Sequence, residues 1–350
     1  MDNALRDRRL ELRGSLNSPV SDTLIDSLLE GAGLVIGRVT RNRRPISVWY
    51  SAAVLCLLIS LAGFGTSAAL GERFPRRQAI IPVELLAVAL SFASLIIFHG
   101  ATRWVRMILD HDVVRHMMRA EDVTDLQAWL HWLTRRGLHL AFCLVYGLSL
   151  GLYATFSLSR AGFVGFGPAV TFGLVGVVWG IPMYELLVFL GLPARLGQYD
   201  YRLFQPDPAS SEVIGHLSRL LTGLVLLYAV VAAGSLLFLA YAGVLIDFGL
   251  IAVVVAWLPI IVLFATGQSA LAGLIARAKA RALSGVQAEI ERLLTGEGLA
   301  EKDRREAVAG LWNYHDRIKG SPNSALDLGA VLSFVNSLLL PLISFLLSLL

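Results

Sequence analysis

Seven long apolar runs alternate with polar segments along this 350-residue chain. An α-helix needs about 20 consecutive apolar residues to cross the hydrocarbon core of a bilayer, and each run reaches that length. The pattern therefore predicts an all-α, polytopic membrane protein with seven transmembrane helices. The fourth run is too long for one straight span, which indicates a tilted or broken helix. The predicted spans cover residues 46–70, 79–99, 138–158, 162–192, 220–243, 247–268 and 328–350.

The polar segments divide the chain into four regions. These are an Arg-rich N-terminal segment (1–45), a six-helix transmembrane region (46–268) with helical loops at 100–137 and 193–219, a helical hairpin (269–326) and the seventh transmembrane helix (327–350). In the hairpin, apolar residues recur at helical spacing in two stretches, 271–294 and 299–319. Each stretch has one face to bury, so we expect these two helices to pack on each other.

Several helices are predicted to continue beyond the membrane into the polar segments. Apolar residues keep helical spacing past the second span as far as Met117. Asp207 followed by Pro208 is typical of an N-cap and first helical position, which predicts that the fifth helix begins there. The sixth span runs into the first hairpin helix with no proline between Ser269 and Ser284. We therefore expect a helical collar outside the membrane.

The distribution of lysine and arginine predicts the orientation of the chain. With the N-terminus inside the cell, 26 of the 30 basic residues fall in the segments 1–45, 100–137, 193–219 and 269–326. Basic residues in short connections favour the cytoplasmic side of a membrane. The N-terminus is therefore expected to be cytoplasmic and Leu350 external. All the soluble mass would then lie in the cytoplasm.

Composition supports a membrane protein and excludes other classes. Hydrophobic residues make up 56% of the chain and charged residues 16%, which exceeds what a soluble core needs. The net charge of +4 and the dispersed arginines argue against a nucleic-acid partner. Only three of the 30 basic residues are lysines, a bias typical of a GC-rich genome. We expect a multi-pass protein of the cell membrane, namely the inner (plasma) membrane of a prokaryote, with the lipid bilayer as its partner.

Motifs of enzymes and metal sites are missing from the sequence. Phosphate loops, H-E-x-x-H, paired cysteines and nucleotide-binding glycine patterns do not occur, so we expect no enzyme, no cofactor and no metal site. Cys56 and Cys143 lie inside apolar runs and are interpreted as small buried residues. Asp112 and His116 share a helix face, but two ligands do not make a zinc site, and a solvated Asp–His pair is the better interpretation.

Acidic residues inside the spans are the sharpest functional signal, because burying a charge in hydrocarbon is costly. Glu84 lies near the outer end of the second span, and Glu185 follows a proline in the fourth. Glu84 is interpreted either as part of a structural ion pair with Arg76 or Arg77 or as part of a path for ions or substrates. Glu185 either lies near the cytoplasmic boundary with Tyr184 or contributes to a site inside the membrane. Both are therefore candidate site residues.

The seventh span contains one amide, Asn336, with Ser333 and Ser337 beside it. An unsatisfied polar group in hydrocarbon is costly, so Asn336 needs a partner. It either hydrogen-bonds across helices or faces a water-filled path in which leucine and phenylalanine side chains act as a hydrophobic gate. The three polar residues are candidate pore residues.

Three prolines interrupt predicted spans: Pro182 in the fourth, Pro259 in the sixth and Pro341 in the seventh. Each removes a hydrogen bond and frees a carbonyl four residues earlier, which must find another partner or water. Such positions are either static kinks or the hinges that channels and transporters use. The three prolines are therefore candidate hinges.

Two pairs of glycines lie four residues apart inside spans, Gly147 with Gly151 and Gly176 with Gly180. Small residues at this spacing let helix backbones approach closely in a membrane. The first pair also matches the G-x-S-x-G pattern of hydrolases, but that motif needs a strand-to-helix turn and here it falls within a predicted helix. We expect both pairs to serve helix packing.

The predicted layout resembles that of the insect odorant and gustatory receptor-like ion channels. The shared features are seven spans, a cytoplasmic N-terminus, short outer loops and a last helix divided into a soluble half (299–319) and a membrane half (328–350). In that family the last membrane half lines a tetrameric pore. The Thr-Tyr and Gln-Phe pairs of gustatory members are absent here, where residues 332–338 are Leu-Ser-Phe-Val-Asn-Ser-Leu. The resemblance implies a homo-oligomeric ion channel gated through cytoplasmic helices. A monomeric transporter and a non-transporting scaffold or signalling protein are the alternatives.

Overall fold

The computed structural model describes residues 47–71, 81–133, 135–160, 166–241, 245–295 and 301–322, together with Leu29. The rest of the Arg-rich N-terminal segment and the predicted seventh span lie outside these residues. Four candidate site residues lie outside them as well: Asn336, Ser333, Ser337 and Pro341. Their roles stay predictions.

The described residues form eight α-helices, which confirms the all-α class. This part of the chain contains no strand and a single isolated β-bridge, between Met117 and Tyr201. The helices are α1 (Val48–Ala69), α2 (Ile81–Ile108), α3 (Ala120–Leu133), α4 (Arg136–Arg160), α5 (Phe166–Leu196), α6 (Glu212–Tyr241), α7 (Leu245–Thr295) and α8 (Glu301–Gly320).

Six helical segments are long and apolar enough to cross a membrane, so the chain is a multi-pass membrane protein. Each of the first six predicted spans overlaps one of them. The seventh span falls outside the part of the chain that the structure describes. The six segments are Val48–Ala69, Ile81–Ile108, Ala120–Phe156, Phe166–Leu196, Glu212–Phe238 and Trp257–Thr295.

Two helices differ from the sequence-based expectations along their length. The fourth span is one continuous helix over Phe166–Leu196, α5, so of the two predicted alternatives the broken helix does not apply to these residues, and the tilt stays a prediction. α2 ends at Ile108 and does not continue as an α-helix to Met117. A π-helical turn, Leu109–Val113, and a 3₁₀ turn, Val114–His116, follow it. Two of the apolar residues that suggested a longer helix, Val113 and Met117, are nevertheless buried, whereas Met107 is exposed.

The fifth helix begins later than predicted, at Glu212 instead of Pro208. The residues from Pro208 form a 3₁₀ turn that ends where Ser211 adopts an extended backbone conformation. Asp207 makes no capping hydrogen bond. The hydroxyl of Ser211 accepts a hydrogen bond from the backbone N–H of Phe204 (2.7 Å), so the preceding loop holds this residue outside the helix.

The chain divides into two compact units. Unit 1 comprises Met1–Arg106, Asp125–Phe189 and Val230–Trp257, and unit 2 comprises Met107–Thr124, Leu190–Ala229 and Leu258–Leu350. Unit 2 contains the segment after the second span, the segment before the fifth span and the segment after the sixth span. The Met117–Tyr201 bridge joins the first to the second, and the Arg281–Asp200 ion pair joins the third to the second. Such contacts require these segments to share one side of the membrane, as the predicted topology does. Which side is cytoplasmic stays a prediction.

In unit 1, α4 and α5 approach closely at their glycines. A Cβ atom at Gly176 would lie 2.8 Å from the Cα of Gly147, and one at Gly180 would lie 2.8 Å from the Cα of Cys143. Only glycine permits this approach without a shift of one helix, so the predicted packing role is confirmed. α1 and α5 meet in the same way, since a Cβ at Gly167 would lie 2.7 Å from the carbonyl oxygen of Gly63.

In unit 2, the predicted hairpin is present and consists of the end of α7 and all of α8. α7 is continuous over 51 residues, so the sixth span and the first arm of the hairpin are one helix. Val286 and Ile290 of α7 and Ile318 of α8 are buried together and form the hairpin core. The predicted packing of the two helices is therefore confirmed. Five partly buried residues surround this core: Ala282, Leu283, Val308, Leu311 and Tyr314.

Candidate functional site

The two acidic candidates, Glu84 and Glu185, are both buried in unit 1, with 2% and 5% of their surface exposed. Glu84 lies in the first turn of α2, and Glu185 lies in α5 beside Tyr184. They belong to different helices. Because a carboxylate removed from water needs compensation, their burial satisfies the first condition for a functional site inside the membrane.

The two proline candidates within the described residues do not break their helices. α5 continues past Pro182, and α7 continues past Pro259. A proline in a helix interior still removes one backbone hydrogen bond and allows bending at that point. The hinge role of both residues stays a prediction.

An aromatic cluster lies beside Glu185 in unit 1. The ring of His139 stacks on Tyr184 with a centroid separation of 4.3 Å, and the ring of Phe142 lies 5.5 Å from the same tyrosine. The hydroxyl of Tyr184 donates a hydrogen bond to the carbonyl of Leu133. His139 is buried, and it is a titratable residue inside a span that the sequence analysis did not single out. Its position in the third apolar run was the available signal.

The most developed polar arrangement lies in unit 2, where the π-helical turn after α2 meets the start of α6. A π-turn widens the helix by one residue and often marks a functional position. Here it carries Asp112. Nδ1 of His216 lies 3.4 Å from Oδ2 of Asp112, and Nε2 of the same ring lies 3.5 Å from Oε1 of Glu212. Both ring nitrogens of His216 therefore face carboxylates.

A second histidine completes this arrangement. Nδ1 of His116 lies 2.6 Å from the backbone carbonyl oxygen of Asp112, and Nε2 lies 3.9 Å from Oε2 of Glu212. A carbonyl oxygen can only accept a hydrogen bond, so Nδ1 of His116 carries the proton. Asp112, His116, Glu212 and His216 are together called the His–carboxylate cluster.

A short backbone bridge next to the His–carboxylate cluster fixes its position. The backbone N–H of Arg202 donates to the carbonyl of His116 (2.7 Å), and that of Met118 donates to the carbonyl of Asp200 (2.9 Å). These two hydrogen bonds join the segment after α2 to the loop before α6. The hydroxyl of Tyr201 donates to the carbonyl of Leu196 (3.0 Å), and burial raises the pKa of this tyrosine, so it stays neutral.

Arginines surround the same loop. Oδ1 of Asp200 lies 3.0 Å from Nη2 of Arg281 on α7, and Oδ2 lies 3.6 Å from Nη2 of Arg119. Arg277, one helical turn before Arg281, donates to the carbonyl of Gly197. These arginines are exposed, so each ion pair contributes little to stability. Their effect is to fix the position of the loop against α7.

Lys279 is the one buried lysine or arginine among the described residues, and it binds the end of the hairpin. Its Nζ donates to the carbonyls of Lys319 and Ser321, at the C-terminus of α8. Carbonyls at a helix C-terminus lack intrahelical partners and carry partial negative charge, which a lysine satisfies. The sequence analysis missed this residue, although a lysine in line with the apolar face of α7 was a usable signal.

The described residues include no group of three or more His, Cys, Asp and Glu side chains placed to hold a metal ion. In the His–carboxylate cluster the two ring nitrogens of His216 point to different carboxylates, so a single ion could not use both. The sequence analysis paired Asp112 with His116, but it missed Glu212 and His216. Glu212 and His216 are four residues apart, and this spacing in the sequence indicates that they share a helix face. Their contact with the π-turn could not be read from the sequence.

Comparison with known proteins does not assign a family or a fold. No protein-family model, no curated protein and no solved structure matches the chain. The function is therefore inferred from the residues and their geometry alone.

Proposed function

We propose that this protein is an oligomeric ion channel of the cell membrane, gated through its cytoplasmic helices. The observation that carries the proposal is helix α7, which contains the sixth span and the first arm of the hairpin without a break. A continuous helix transmits a displacement of its soluble end to its membrane end. The resemblance of the predicted layout to insect odorant and gustatory receptor-like channels supports the same mechanism.

Lys279 extends this connection toward the predicted seventh span. It lies on α7 and binds carbonyls at the end of α8, shortly before residue 328, where that span begins. A movement of the hairpin would then act on the sixth and seventh helices together. In this proposal the seventh helices of the oligomer line the pore with Asn336, Ser333 and Ser337, while Pro182, Pro259 and Pro341 allow the helices to bend.

The test is ion flux through purified protein in liposomes, combined with the mass of the detergent-solubilised protein. We expect an oligomer that conducts ions. Asn336→Leu should assemble normally and lose or change the flux, because the amide is removed from the water-filled path. Ser348→Leu is the matched control, since it makes a similar polar-to-leucine change in the same span, about 120° around the helix, and it should conduct as the wild type does.

Two results, a monomeric mass and a wild type without flux, would contradict the channel, and a third would change only the role of Asn336. A monomeric mass removes a pore formed between subunits. An Asn336→Leu protein that is less stable but conducts normally shows that the amide only holds helices together, a role worth about 1 kcal/mol. A wild-type protein with no flux at any voltage or pH tested favours a non-transporting scaffold or signalling protein.

A monomeric transporter is the second candidate, because Glu84 and Glu185 are both buried in unit 1. A transporter would use such carboxylates to bind a proton, ion or cationic substrate. Glu84→Gln and Glu185→Gln should then abolish uptake driven by an ion gradient, while Glu121→Gln, at an exposed position of α3, should not. If all three variants behave as the wild type, the two buried acids are structural.

A further inference from the structure

The His–carboxylate cluster places an acceptor opposite every ring nitrogen of its two histidines. His216 faces the carboxylates of Asp112 and Glu212, and His116 faces the backbone carbonyl of Asp112 and the carboxylate of Glu212. Two of these four contacts are hydrogen bonds, from Nδ1 of His116 to the carbonyl of Asp112 and from Nε2 of His216 to Glu212, and two neutral rings with one N–H each supply both. Nδ1 of His216 is buried without a hydrogen-bond partner among the described residues and, in the neutral ring, presents a lone pair to Oδ2 of Asp112. Two imidazolium rings place an N–H opposite every acceptor, and their two positive charges balance the two carboxylates.

We propose that the His–carboxylate cluster is a proton-dependent clamp, which joins the end of the second-span helix to the start of the fifth-span helix. In the protonated state, Asp112 on the π-turn and Glu212 on α6 both bind His216. In the neutral state, one nitrogen of each ring presents a lone pair to an oxygen, which is repulsive. Histidine changes charge between about pH 5 and 8, so a rise in pH through that range loosens the clamp.

The exposure of the side chains shows which of the histidine–carboxylate contacts is the strongest. The side chain of Glu212 is 76% exposed, so water screens its attraction to both rings. The side chains of His216 and Asp112 are 17% and 33% exposed, and Nδ1 of His216 is itself buried. The His216–Asp112 contact is therefore the main one, and it is also the one that crosses from the π-turn to α6.

Two arginines lie close to the two histidines in the sequence. Arg219 lies three residues after His216 on α6, and Arg115 precedes His116 in the 3₁₀ turn; both are exposed. Each is screened by solvent, whereas Asp112 lies 3.4 Å from the His216 ring.

The experiment is hydrogen exchange of the full-length protein in detergent at about pH 5.5 and about pH 8, corrected for the intrinsic pH dependence of exchange. The amides of Met118 and Arg202 report directly, because they form the bridge between the two segments. In the wild type we expect their protection to fall roughly tenfold at the higher pH, the size of one lost charge-assisted hydrogen bond. This local readout does not depend on ion conduction.

Two variants separate the clamp from general effects of pH. His216→Gln keeps a hydrogen-bonding amide but cannot become charged, so its bridge amides should show the same weak protection at both pH values. His315→Gln is the matched control, since His315 also lies beside a carboxylate, 3.3 Å from Asp316, but on α8 away from the bridge. It should keep the wild-type pH dependence. Wild-type protection that is the same at both pH values would overturn the proposal even if His216→Gln does not fold, and so would full pH dependence in His216→Gln.

Discussion

Replacing Ile318 with alanine should open the hairpin formed by the end of α7 and α8. Ile318 is fully buried, and it packs against Val286 and Ile290 on the facing helix. Ile318 is the one buried residue of α8, so its side chain makes the central contact between the two helices. The substitution therefore weakens the contact that holds α8 against α7.

The size of the effect follows from the atoms removed. Isoleucine to alanine deletes three carbons, which at about 0.8 kcal/mol for each buried methylene gives about 2.4 kcal/mol. A residual cavity adds to this cost, and measured isoleucine-to-alanine changes in cores span about 2–5 kcal/mol. The hairpin core is small and its neighbours are partly exposed, so the site can partly collapse. We therefore expect about 2–3 kcal/mol, which corresponds to an increase in hairpin opening of roughly 100-fold.

The assay is hydrogen exchange and limited proteolysis of the full-length protein in detergent, read at α8 and at the end of α7. Ile318→Val removes one methylene and should cost about 1 kcal/mol, which gives an intermediate opening. Asn313→Ala changes an exposed position of the same helix and should leave both readouts unchanged. Equal protection in Ile318→Ala and Asn313→Ala would show that α8 does not depend on this contact.

Two further predictions concern topology and helix packing. A reporter fused after Leu350 should be external and one inserted at Gly296 cytoplasmic, because the basic residues favour that orientation; the reverse pair of signals would refute it. Gly176→Ala should lower thermal stability by about 1–3 kcal/mol, since its new Cβ would lie 2.8 Å from the Cα of Gly147. The control Gly234→Ala has no atom within 4 Å of its Cβ and should be neutral, so equal melting of the two variants would argue against the close contact.

The sequence by itself predicted the elements that depend on local pattern. Six apolar runs coincide with six helices because a bilayer requires both the length and the composition that the runs show. The hairpin core was predictable because the residues that pack, including Val286, Ile290 and Ile318, recur at helical spacing. The glycine pairs of α4 and α5 carried a similar local signal, since small residues four apart lie on one face.

The tertiary structure alone decided which faces meet. His216 lies about a hundred residues after Asp112, and nothing in either local pattern names the other as its partner. The carbonyl partner of Lys279 on α8 became evident only from the folded hairpin. The π-turn after Ile108 is likewise not encoded by spacing, because apolar residues four apart fit an α-helix and a widened turn equally well. Periodicity states that a helix has a face to bury, whereas the choice of partner depends on the packing of all the helices together.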